Sequence, residues 1–134
     1  MSDKVREFCN SVHDKLATLE GRMESLKLNI GPTCYSLHDK LDELRHKSEA
    51  RKQAVAQART NVERWSDDNK AESDDTIDQW IDNRQTRKLD ARAEKAEECA
   101  WVAIELAEAS IDDAERMVLE TIAARFAAEA VTVG

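Results

Sequence analysis

Turn-making residues are nearly missing from this chain, which holds three glycines and one proline in 134 residues. Ordinary usage is roughly 7% and 5%, so long uninterrupted helices are expected. So few glycines also leave no room for a phosphate-cradling loop. No apolar run approaches the roughly 18 residues that a membrane span needs. The first seven residues, MSDKVRE, lack the apolar centre of a signal peptide. Cysteines number three, an odd count that argues against a disulfide framework and for a reducing, cytoplasmic setting.

Positive charge is in deficit as well. Lys and Arg total 20 against 28 Asp and Glu, a formal net charge of -8. Phosphate contacts need a surplus of cations, so neither nucleic acid nor an anionic membrane is an expected partner. The motifs of nucleotide binding, serine hydrolysis and zinc proteolysis are all absent. We therefore expect no enzyme and no cofactor.

What is present is a repeat. CNSVHDKLATL, starting at Cys9, returns as CYSLHDKLDEL, starting at Cys34. Each copy sets a Cys and a His four apart, on one face of a helix. Cys9 with His13 and Cys34 with His38 thus form a candidate Cys₂His₂ set for Zn or another transition metal. Helical rise places the two pairs ~37 Å apart, so one chain cannot close the site and a metal would have to sit between subunits. The competing reading makes Cys9 and Cys34 small apolar residues of a helical seam. Cys99 adds two further groupings, with His46 and Glu43 or with His38 and Cys34. Glu43 and His46 also spell the E-x-x-H of di-iron bundles, but only once and at outward positions, where surface charge explains them.

The seam is explicit. Val5, Cys9, Val12, Leu16, Leu19, Met23, Leu26 and Ile30 alternate by four and three, a heptad pattern. It predicts a helix over about 3–30, ended by Gly31 and Pro32. A second helix follows over about 33–67 and a capping-rich loop over about 67–75, where Ser73, Asp74 or Asp75 caps the next helix. The last helix covers about 75–131 with a stripe of Ala100, Ile104, Ala107, Ile111, Ala114, Val118 and Ile122. Ser110–Asp113 offers an internal cap, and so a candidate break near 110.

These elements predict a single all-α domain, an antiparallel helical hairpin or three-to-four-helix bundle with a long coiled-coil arm. Folding about residues 72 and 73 sets Trp65 opposite Trp80, and with Ile77 and Ile81 they form an apolar clasp at the hairpin tip. In that register the end of the last helix overhangs the bundle. Its Ile104, Ile111, Val118, Ile122 and Phe126 then need a second subunit, so a homo-oligomer is expected. The basic stretches 45–52 and 84–88 could dock a partner or pair with acids across the hairpin, and pairing is the simpler expectation. The leading function is a non-enzymatic scaffold or adaptor that self-associates and binds a protein partner. The alternative is a metal-binding or metal-sensing bundle.

Overall fold

A computed structural model describes residues 3–33 and 36–133, the side chains of residues 29–33, 132 and 133 excepted. The fold is an all-α helical bundle, with no strand among the described residues. Its elements are α1 (Asp3–Thr33), α2 (Leu37–Ala71), α3 (Asp74–Asp82) and α4 (Thr86–Val133). The fold class is as expected, but several boundaries move. Gly31 and Pro32 do not end α1, which continues to Thr33. A proline this near the end removes one backbone donor from a turn that is already finishing.

The loop expected over 67–75 contracts to two residues, because α2 runs on to Ala71. Ser73 then caps α3, its hydroxyl accepting from the Thr76 amide at 3.1 Å. Asp74 and Asp75 fill the first turn, where negative charge suits the helix dipole.

The last long helix does break, at residues 83–85 rather than near 110. The Gln85 amide donates to the Trp80 carbonyl at 2.8 Å and the Arg84 amide to the Ile81 carbonyl at 3.1 Å. This is the paired closure of a Schellman motif. Its left-handed position, normally glycine, is Arg84 with φ of 53°. An L-residue there costs roughly 1–2 kcal/mol. No sequence breaker marks the site, so propensity alone extends the helix straight through it.

The chain forms two compact units, Met1–Arg51 with Glu108–Gly134 and Lys52–Ala107. In the first, Leu41 and Leu44 of α2 bury against Leu119 of α4, with Leu37, Ile122 and Ala123 packed around them. Leu119 is the most buried large side chain, at 1% exposure. The expected overhang is thereby corrected: the end of α4 packs on its own chain. Within the second unit, Arg92 of α4 reaches Glu72 at 3.1 Å and Asn69 at 3.2 Å on α2. The second unit therefore places its fold-back near residues 81 and 82, where α3 and its corner lie, and not at 72 and 73. The reason is α3 itself, a separate nine-residue helix where the sequence predicts the end of the loop and the start of the last helix.

Arg84→Gly removes the left-handed penalty and returns part of it as unfolded-chain entropy. Its expected effect is a gain of about 0.5–1 kcal/mol in urea unfolding. A loss of stability would show that the Arg84 side chain contributes more than its backbone costs.

Candidate functional site

The sequence-predicted ligands are mostly on the surface. Cys9 is exposed, which corrects its reading as a core residue. The His13 side chain is also exposed and stands 3.7 Å from Asp14. His38, likewise exposed, is 3.4 Å from the Asp42 carboxylate, while His46 Nδ1 is 2.7 Å from the Asp42 carbonyl oxygen. Glu43 is 3.8 Å from Lys40, an ordinary surface ion pair. Cys99 is buried in the second unit, and the register that faced it toward His46 is not adopted within either unit. Cys34 lies outside the described residues. Among the described residues, no group of three or more His, Cys, Asp and Glu side chains is placed to hold a metal ion.

The group that sequence periodicity missed is Asp112. It sits on α4 in the first unit, and its side chain is 4% exposed. A carboxylate so deep is costly unless it is paired. Arg22 of α1 is ion-paired to one of its oxygens. Arg51 of α2 donates to the other at 2.7 Å, and Lys47 stands 3.0 Å from the same oxygen. Three helices therefore meet at one charge. Lys47 is the outermost partner, and burial of its ammonium, then repulsion from Arg22 and Arg51, holds its pKa below the usual lysine value.

This centre sets how each helix is rotated. On α4, Ala109, Asp112 and Leu119 are buried and Arg116 and Ala123 half-buried, a three-four alternation. The stripe expected from apolarity is turned away by more than a third of the helix circumference, at about 100° per residue, so that Ala107, Ala114 and Val118 are exposed. On α1, the seam splits into its two heptad positions. Val12, Leu19 and Leu26 share the Arg22 side and are covered at least in part, with Leu19 at 8% exposure. Cys9, Leu16 and Met23, each seven apart, are exposed. Gly21, one residue from Arg22, has open space where a Cβ would stand.

A second polar layer lies beyond the first. Ser48 donates to Asp113 at 3.2 Å, and Arg45 and Arg116 both reach Glu120. The Arg45 bond first, then that of Arg116, holds the Glu120 carboxyl below its usual value of about 4.5. Lys40 is 3.7 Å from Glu115. The basic stretch 45–52 is thus spent largely on internal pairing.

In the second unit, the expected clasp residues take up a different arrangement. Trp65 of α2 and Trp80 of α3 both line one open depression of about 420 Å³, floored in part by Ala91 of α4. Lys88 stands over the Trp80 ring, 5.5 Å from its centroid. Ile77 is half-buried, whereas Ile81 is 55% exposed.

Asp112→Asn leaves Arg22, Lys47 and Arg51 crowded without their anion. The expected loss is about 3 kcal/mol in urea unfolding, at the low end for a buried pair because the cations keep some solvent contact. A loss below about 1 kcal/mol would show that the centre is not what holds the helices.

Glu120, with its folded pKa depressed, contributes stability above the ordinary carboxylate pKa and loses it as pH falls through the folded value. The unfolding midpoint should drop as pH falls below the ordinary carboxylate value of about 4.5, and Glu120→Gln should flatten that slope. Lys47 gives a slope of the same sign at the alkaline end: with a depressed lysine pKa, its effect on stability improves as pH rises toward 10.5. An acid limb as steep in Glu120→Gln as in the parent protein would exclude this origin.

Compared with protein-family models, curated proteins and solved structures, the chain matches none of them.

Proposed function

We propose that this protein is a non-enzymatic helical scaffold that self-associates through its first unit and offers its second to a protein partner. The observation that carries the reading is where unburied apolar surface collects. Nine large hydrophobic residues are exposed among the described ones, and eight of them, all but Ile81, belong to the first unit. They include Leu16 and Met23 on α1 and Met117, Val118 and Phe126 on α4. Apolar side chains recurring every seven residues are the surface a second helix packs against.

A second copy of the chain suits the α1 stripe because the stripe complements itself. Two α1 helices running antiparallel about Leu16 bring Cys9 of each against Met23 of the other. His13 then flanks Glu20 of the opposite copy, an attractive pairing at the seam edge. Of the residues expected at the oligomer interface, Val118 and Phe126 are exposed, while Ile104, Ile111 and Ile122 are half-buried. Ile122 packs within the chain's own core. The supported surface therefore combines α1 with the outer side of α4. No helix among the described residues is long and apolar enough to cross a membrane.

Light scattering on the purified protein tests this. At tens of micromolar the parent chain should be an oligomer. Leu16→Glu with Met23→Glu should raise its dissociation constant at least roughly 100-fold while leaving the helical circular dichroism intact. A monodisperse parent monomer would overturn the reading.

A further inference from the structure

The depression on the second unit has a composition that selects a ligand. Its walls are indole, from Trp65 and Trp80, and its α4 side carries Lys88, Arg92 and Lys95. Arg92 is already committed to Glu72 and Asn69, so it serves as wall. The two lysines are less engaged. Lys88 rests over the Trp80 ring, and Lys95 makes only a 3.8 Å contact with Glu98 between largely exposed side chains, an interaction worth little. In a chain with net charge -8, two cations flanking an aromatic recess form a local reversal of sign.

Their spacing is also specific. Lys88 and Lys95 are seven residues apart on one helix, two turns or about 10.5 Å. Between them lies the recess, of about 420 Å³, a volume that suits a large apolar side chain and is open enough for the helix carrying it. Asp68 lines the α2 side and repels carboxylates there, so an incoming acidic face is directed to α4. We infer that this depression docks an amphipathic helical segment of a partner protein, with two carboxylates seven residues apart and a large apolar side chain between them. The inference rests on the adaptor half of the reading above and names the partner's chemistry. Docking of an apolar helix face into a groove, with flanking charges fixing its direction, is a common mode of peptide recognition.

The test uses the full-length chain with Trp101→Phe, so that Trp65 and Trp80 report alone. The probe is an acetylated, amidated alanine-based helical peptide carrying Glu, Phe and Glu at positions i, i+3 and i+7. A saturable change in indole emission is expected. Affinity should fall roughly 5-fold or more for the paired Lys88→Glu and Lys95→Glu variant, since two exposed ion pairs are inverted. It should fall at least roughly 30-fold for Trp80→Ala. The lysine variant changes only exposed side chains, so it keeps the test sharp if Trp80→Ala does not fold.

Absence of a saturable change would overturn the inference. So would equal affinity for a peptide with Lys in place of both Glu residues. Light scattering on the same sample separates the two ideas: binding by a monomer removes self-association and sustains docking, whereas an oligomer that ignores the peptide removes docking alone.

Discussion

A single buried carboxylate organises the first unit. Asp112 cannot remain deep among helices without cations, and the cations that satisfy it arrive from α1 and α2. Each of those helices must therefore present one particular side. Leu19 is carried inward with Arg22, and Leu41 and Leu44 bury against Leu119 two turns further along α4. The apolar cluster is small, so charge pairing here sets geometry while apolar burial supplies most of the driving force. An alanine-rich helix such as α4 offers many nearly equivalent faces for packing. A charged residue that tolerates only one of them removes that degeneracy.

The same fact explains how far the sequence could be read. Helix content, the all-α class and a cap among Ser73, Asp74 and Asp75 were legible, because propensity, heptad spacing and capping chemistry all act locally. The rotation of α4 was not. A scan for apolar residues selects Ile104, Ile111 and Val118 and discards Asp112 and Arg116 as solvent-facing, yet those two help to form the inward stripe. The signal available was the acid-rich end of α4 facing the basic stretch 45–52, readable only once the register is known. The register in turn hinged on the corner at Arg84, which carries no breaker. One unread turn thus moved the fold-back by about nine residues, and with it every cross-helix pairing. For the pairs Cys9 with His13 and Cys34 with His38, the distance argument rests on helical rise alone and so belongs entirely to the sequence.

The two units differ in what they leave uncovered. The first holds eight of the nine exposed large hydrophobic residues, Leu16 and Met23 among them at heptad spacing on α1. The second exposes little of that kind and instead offers indole beside lysine. Aliphatic stripes favour long parallel or antiparallel helix contacts with few directional demands. Aromatic recesses edged by charge favour a single anchor and a defined polarity. Under the function proposed above, assembly and recognition would rely on different physical forces and so respond differently to salt.

The corner at Arg84 has one more implication. Residues 83–85 are all capable of helix, and the straight continuation from α3 into α4 stays open to the chain before it folds. What diverts it is a left-handed turn whose cost lies in the stereochemistry of one residue. The geometry of the fold-back is therefore written in long-range contacts and not in local propensity. Within its unit, α3 is met by packing at Trp80, which lines one depression with Trp65 and Lys88.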